Sequence, residues 1–182
     1  MIFGQGFRQL FGKKRFCCSN LFFTKNLNIE LSTEIKLAQE LLVQVVLMTQ
    51  LNWSEWCSFK TLDFRSVPAS NGVYQIRWAV NGKPKSICRA KGKDTEGILY
   101  IGEGKLMERI ESFWRRIRNQ GGRHTAGWTY AHYEFGKEFK QEQLEVRWLE
   151  YPECGRLEDE LLLEYVGNYL DKPPLNMKIP RC

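Results

Sequence analysis

The chain has 182 residues, enough for a packed domain, and 43% of them are hydrophobic, which argues against a disordered protein. No apolar run approaches the roughly 18 residues that a membrane-spanning helix requires, so we expect no membrane partner. The net charge of +6 suits an anionic partner such as a nucleic acid.

Six cysteines stand at positions 17, 18, 57, 88, 154 and 182, and no two of them form a Cys-x-x-Cys pair. Metal sites built on cysteine use such short spacings, so no structural zinc site is predicted. We expect reduced thiols in an intracellular, cytoplasmic protein.

Residues 1–47 are basic and poor in acids, since five Lys or Arg residues precede the first acid, Glu30. Three interpretations remain open: an organelle-targeting segment, a basic arm on nucleic acid, or an over-long reading of the gene with translation starting at Met48. A helix is predicted from a cap near Ser32. Residues 48–67 form an aromatic lead-in, expected as a short helix or covering loop, and residues 68–182 form the main domain.

Two β-type runs precede a basic helix. Residues 72–80 alternate, which places Tyr74, Ile76 and Trp78 on one face of a strand. Residues 98–101 form a short apolar strand that ends in Tyr100-Ile101. We interpret Gly72 and Gly102 as turn glycines, with Gly102 beginning a sharp turn at residues 102–104. The connection between the strands, residues 81–97, is rich in Lys and is either a solvated insertion or a phosphate contact.

The helix that follows has apolar residues at i, i+4, i+7 and i+11, namely Leu106, Ile110, Phe113 and Ile117. Several basic side chains on or beside it form a candidate phosphate track, because guanidinium groups match phosphate oxygens. The alternative is a solvated helix face. The candidate nucleic-acid-binding residues are Lys105, Arg115, Arg116, Arg118, Arg123 and His124.

Residues 128–135 and 144–150 are predicted as two further strands, since both are rich in aromatic and β-branched residues. His124 is a candidate phosphate contact or proton acceptor, whereas His132, inside the first of these runs, is interpreted as structural. The two histidines lack a carboxylate pattern around them, so a His-based metal site is not predicted.

Residues 156–170 are predicted as the closing helix, which Pro173 and Pro174 end. Glu158 stands at the head of its apolar stripe, where a buried carboxylate is costly without an ionic partner. Glu158 is therefore the favoured ligand of a divalent metal. Glu164, later on the same helix, is the alternative ligand, and this alternative stays open.

The chain from about residue 68 to 179 resembles the GIY-YIG endonuclease superfamily. The resemblance rests on Gly72-Val73-Tyr74, on Tyr100-Ile101-Gly102, on Leu106-x-x-Arg109-Ile110, and on an acidic helix followed by Lys172-Pro-Pro-Leu-Asn176. It implies an α/β (α+β) fold in which a small, mainly antiparallel sheet is flanked by helices.

The resemblance also implies an activity: endonucleolytic hydrolysis of DNA phosphodiester bonds with one Mg²⁺ or Mn²⁺ ion. It assigns the metal to Glu158, a phosphate clamp to Arg109, and the water and a phosphate oxygen to Tyr74 and Tyr100. Asn176 would support the structure of the site. The alternatives are a catalytically inactive nucleic-acid-binding or scaffold module, and a nuclease directed at RNA.

Overall fold

A computed structural model of the chain describes Lys36 and residues 51–177. The chain divides after Leu51 into two units, Met1–Leu51 and Asn52–Cys182, and the second unit is described below. The predictions for residues 1–47, including the helix capped near Ser32 and the three interpretations of this segment, fall outside the described residues, apart from the exposed and helical Lys36. The predicted fold class is confirmed, because the unit combines antiparallel sheets with helices.

The longest strand, β2 (Asn71–Val80), lies in the middle of the main sheet. It pairs antiparallel with β6 (Ile98–Lys105) on one side and β7 (Leu144–Glu150) on the other. The short strands are β1 (Cys57–Ser58) on the outer edge of β7, β3 (Lys83–Pro84) on the end of β2, and the separate ladder β4 (Ile87–Cys88) with β5 (Lys93–Asp94).

The described part of this unit has three α-helices, which are α1 (Leu106–Ile117), α2 (Thr125–His132) and α3 (Cys154–Tyr169). The apolar stripe predicted for α1 is fully buried against the alternating face of β2 that carries Tyr74 and Ile76. The third helix packs on β6 and β2, and α2 packs on α1. Burial of these apolar side chains is the main favourable term in the folding free energy.

Residues 128–135 are not a strand, and that prediction is wrong. The segment from Thr125 to His132 is α2, whose first turn is capped by the His124 side chain. Gly127 lies against α1, where a Cβ atom would come within 2.9 Å of Arg116 Cβ. Close packing of two helices therefore overrides the β-propensity of the aromatic residues.

Gly72 and Gly102 lie inside strands, so their prediction as turn glycines is also wrong. A Cβ atom on Gly72 would lie 2.2 Å from the carbonyl oxygen of Leu149, and one on Gly102 would lie 2.4 Å from the Tyr100 ring. Strand β6 continues past Gly102 to Lys105. These glycines permit close approach of neighbouring groups rather than a chain reversal.

The insertion at residues 81–97 is docked on the end of α3. The Arg89 guanidinium binds the Asp171 carboxylate and donates to the carbonyl oxygen of Lys172. Asp94 accepts three backbone N–H groups of its own loop and the hydroxyl of Tyr165. The insertion is thus a built part of the domain, although its lysines at 83, 85, 91 and 93 remain exposed.

From Asn52 onward, the lead-in belongs to the same folded unit as the sheet. Phe59 is buried in the core, as the sequence predicts, and β1 adds a strand to β7. A short 3₁₀ helix covers Phe64–Ser66. Trp53 and Trp56 lie over the guanidinium of Arg147 at 4.6 and 4.5 Å, in cation–π contact.

None of the helices in the described residues is long and apolar enough to cross a membrane.

Candidate active site

The two predicted tyrosines meet on neighbouring strands. Tyr74 on β2 lies diagonal to Tyr100 on β6, because Tyr100 pairs with Ile76 and Tyr74 with Gly102. Their ring centroids are 5.8 Å apart. The missing side chain of Gly102 leaves the space that the Tyr100 ring fills. Tyr74 is 0% exposed and Tyr100 is 8% exposed, so Tyr100 is the more accessible of the two tyrosines.

Arg109 joins the two tyrosines from the first turn of α1. The aliphatic part of its side chain passes over Gly104, where a Cβ atom would lie 3.2 Å from Arg109 Cγ. Its half-buried guanidinium interacts with the hydroxyl groups of both Tyr74 and Tyr100. The site therefore has a fixed positive charge beside two phenols.

Both tyrosines are neutral phenols at pH 7. Burial raises the pKa of Tyr74 well above its ordinary value, and burial also raises the pKa of Tyr100. Arg109 opposes both shifts, while the charge of Glu158 adds to the shift of Tyr100. A buried phenol loses the hydration that would stabilise its anion, which explains the direction.

His124, a candidate phosphate contact or proton acceptor in the sequence analysis, reaches the same cluster, although its contact with Tyr74 was not predicted. Its Nδ1 accepts the backbone N–H of Gly127, and its Nε2 lies 2.6 Å from the Tyr74 hydroxyl. Burial, helped by Arg109, lowers the pKa of His124 to about 3, so the ring is neutral. A neutral imidazole whose Nδ1 accepts must carry its proton on Nε2, and Nε2 therefore donates to Tyr74.

The burial of His124 also corrects its predicted role. The side chain is 3% exposed and sits among the rings of Tyr74, Tyr100 and Phe113. It cannot touch the backbone of a nucleic acid from there, and its Nδ1 is occupied by the helix cap. Its Nε2 is hydrogen-bonded to the Tyr74 hydroxyl instead.

Glu158 lies on the buried stripe of α3, as predicted, with 5% exposure. Its charge raises the pKa of Tyr100, which places it within electrostatic reach of that hydroxyl. Glu164, the alternative metal ligand, is exposed on another face of the helix. Of the two acids, Glu158 is therefore the one that lies with the tyrosines.

The chemistry of this donor set fits one hard divalent cation. Within the described residues, no group of three or more His, Cys, Asp or Glu side chains could enclose a metal. Mg²⁺ does not require such a cage, because it commonly keeps several waters and binds through one or two carboxylates. Glu158 alone suffices for that mode of binding.

Asn176 ties the tail of the domain to the outer edge of β6. Its Oδ1 accepts the backbone N–H of Ile101 at 3.0 Å, and its Nδ2 donates to the carbonyl oxygen of Ile101 at 2.7 Å. Ile101 follows Tyr100 directly, so the amide fixes the strand that carries this tyrosine. Asn176 is buried and has a supporting position rather than one facing the cluster.

The predicted phosphate-binding side chains lie around the exposed surface of α1 and the loop after it. Lys105 is exposed and paired with Glu108, and Arg115 is within 4.0 Å of Glu111. Arg118 lies over the Trp114 ring, and Arg123 is exposed. Arg116 is half-buried, with its side chain against Gly127.

No protein-family model matches this chain, and no curated protein or solved structure matches it either. The resemblance to GIY-YIG nucleases therefore rests on the sequence motifs alone.

Proposed function

We propose that this chain is a divalent-metal-dependent endonuclease that hydrolyses DNA phosphodiester bonds in the manner of the GIY-YIG superfamily. The observation that supports the proposal is the convergence of four predicted residues from distant parts of the chain. Tyr74, Tyr100, Arg109 and Glu158 come from two strands and two helices, yet they interact electrostatically in one place.

Arg109 would neutralise the phosphate. A half-buried guanidinium is a strong partner for phosphoryl oxygens, and it stabilises the negative charge that develops during hydrolysis. Its interaction with both tyrosines holds it in place before a substrate arrives. Such preorganisation is worth several kcal/mol in enzymes that stabilise anionic transition states.

The hydrogen bonds of the site form a chain from His124 through Tyr74 to Tyr100. His124 donates to Tyr74, so the hydroxyl proton of Tyr74 is left for its interaction with Tyr100. Interactions with Tyr74 and Arg109 lower the pKa of Tyr100 and partly offset its burial. We therefore assign to Tyr100 the orientation of the attacking water, and to Tyr74 and His124 the positioning of Tyr100.

Glu158 would hold the metal ion. When bound, Mg²⁺ supplies Lewis-acid stabilisation of the phosphate oxygens. Glu158 itself is one of the buried residues of α3, which also include Leu157, Leu161 and Leu162.

Supercoiled plasmid and branched DNA provide the test, with the full chain in Mg²⁺ or EDTA. We expect Mg²⁺-dependent cutting by the wild type and a loss of about 100-fold or more in Glu158→Gln, which removes the charge but keeps the shape of the side chain. Glu164→Gln is the matched control on the same helix and should cut normally.

Other outcomes would change the assignment. Loss of cutting only in Glu164→Gln would transfer the metal to Glu164. Binding of DNA without cutting by the wild type would indicate an inactive binding module, and cutting of RNA alone would redirect the activity to RNA.

A further inference from the structure

Three side chains form an exposed aromatic surface on α2: Trp128, His132 and Tyr133, here called the α2 aromatic cluster. Trp128 is 42% exposed and Tyr133 is 60% exposed. The rings of Trp128 and His132 are stacked, with centroids 4.3 Å apart and planes 13° from parallel, and Tyr133 meets both rings edge-on. In residues 51–177, no other Phe, Tyr or Trp side chain is exposed.

The α2 aromatic cluster lies on the helix that His124 caps. His124 is the N-cap, and Trp128 and His132 stand four and eight residues beyond it, which is about 6 Å per four residues along the helix axis. The N–H of Trp128 donates to the carbonyl oxygen of His124, 2.9 Å away. Since His124 contacts Tyr74, the exposed rings begin one turn beyond the candidate catalytic residues.

The segment that leads into α2 is positively charged. Arg123 stands directly before the N-cap of α2 and is exposed, and within residues 51–177 no carboxylate forms a salt bridge with it. Glu134, which directly follows Tyr133, is paired with Lys137. Exposed flat rings on a helix that follows such a guanidinium suit a nucleobase with its phosphate better than an apolar protein surface.

We infer that the α2 aromatic cluster stacks an unpaired nucleobase of the substrate, one helical turn from the bond that is cut. This inference rests on the proposed nuclease function and narrows its substrate class to nucleic acid with single-stranded or unpaired nucleotides. Stacked bases in a duplex offer no free face to Trp128, whereas an unpaired base offers a whole ring.

The inference is tested by the affinity of the full chain for a labelled oligothymidylate of about 12 nucleotides, which lies within the site sizes of proteins that bind single strands. The measurement is made in EDTA, where we expect no cutting. We expect Trp128→Ala to weaken binding about 5- to 100-fold, which corresponds to the loss of one base–aromatic stack. Trp128→Phe should restore most of the affinity. Leu163→Ala, a substitution of an equally exposed side chain on α3, is the matched control and should bind normally.

A blunt duplex of mixed sequence and an oligouridylate of the same length complete the experiment. The duplex should bind Trp128→Ala and the wild type equally, and a Trp128-dependent loss with oligouridylate would extend the inference to RNA. Unchanged oligothymidylate affinity in Trp128→Ala, an equal loss in Leu163→Ala, or an equal loss with duplex would overturn the stacking inference. Plasmid cutting by the wild type tests the nuclease separately, so the two proposals can fail independently.

Discussion

At the scale of single residues, His124 shows how a neutral side chain organises the site. It gives one nitrogen to the first turn of α2 and the other to Tyr74, so its tautomer is fixed by two bonds. Protonation of Nδ1 would break the helix cap and bring a positive charge next to Arg109. The folded protein therefore binds this proton more weakly than the unfolded chain does, and its free energy of unfolding falls in acid.

The first prediction concerns this loss of stability at low pH. The pKa of His124 falls from its ordinary value of 6.5 to about 3 on folding, so the unfolded chain binds the proton first as the pH falls. The associated stability is present above pH 6.5 and is lost progressively between pH 6.5 and 3. Between pH 7 and 5 the wild type should lose about 2 kcal/mol of unfolding free energy that His124→Gln does not lose.

Urea unfolding of both proteins at the two pH values measures this difference. Gln at position 124 can keep both hydrogen bonds but does not titrate, so the variant isolates the proton. His132→Gln, at the exposed histidine, serves as the control and should follow the wild type. Parallel pH profiles for wild type and His124→Gln would contradict the proposed burial of a neutral ring.

At the scale of elements, the outer edge of β6 decides where Tyr100 lies. Within residues 51–177 no further strand pairs with this edge, and the residues after α3 bind it through Leu175 N–H to the Leu99 carbonyl oxygen and through the Asn176 amide. Tyr100 lies between these two attachment points. The tail thus holds the strand that carries the candidate water-orienting hydroxyl.

Removal of the Asn176 amide should lower the free energy of unfolding. Ile101 is 2% exposed, so Asn176→Ala leaves its N–H and carbonyl groups buried without their partner. We expect a loss of about 3 kcal/mol of unfolding free energy, measured by urea denaturation. Asn168→Ala, at an exposed site on α3, is the control and should change stability by less than about 0.5 kcal/mol. A loss of similar size in both variants would argue against the edge attachment.

The predictable elements were those whose pattern is local. Alternation in residues 72–80 and the spacings of four and three residues between Leu106, Ile110 and Phe113 follow from the periods of strand and helix, and both were confirmed. Helix α2 was missed because its Trp, Thr and Tyr residues favour strands, while its helical state depends on the contact of Gly127 with α1. That contact joins two separate helices and leaves no mark in the periodicity of either one.

Within the candidate site, the sequence indicated the tyrosines, Arg109, Glu158 and Asn176, because they stand in short motifs. It misjudged His124, whose neighbours become visible only in three dimensions. The one available signal was its position after Gly121-Gly122 and before a run of small residues, a place where a helix cap can occur.

At the scale of the whole molecule, exposed basic side chains of residues 51–177 occur in two groups. One group lies at the end of α1 and in the loop that leads to His124, and it consists of Arg115, Arg118 and Arg123. The other comprises the exposed lysines of the insertion, Lys83, Lys85 and Lys93. Net charge alone does not tell which group meets nucleic acid, but the position of the candidate site favours the first.

The salt dependence of DNA binding separates the two groups. Each phosphate neutralised by a basic side chain adds about 0.9 to the slope of log affinity against log salt concentration for duplex DNA. Replacing Arg115, Arg118 and Arg123 together by Gln should lower this slope by about 2 to 3. The matched triple change at Lys83, Lys85 and Lys93 should leave it unchanged, and the reverse result would assign binding to the insertion.

The side chain of Asn176 offers a donor and an acceptor that point the same way, as the N–H and carbonyl groups of one strand residue do, and it uses both on Ile101. A full strand in its place would satisfy β6 but would present a new row of backbone groups on its far side, open to a second molecule. A side-chain amide presents no such row of backbone groups, so it ends the ladder at Ile101. The residue that holds the Tyr100 strand in place therefore also keeps neighbouring molecules from extending the sheet, and its loss would favour concentration-dependent self-association.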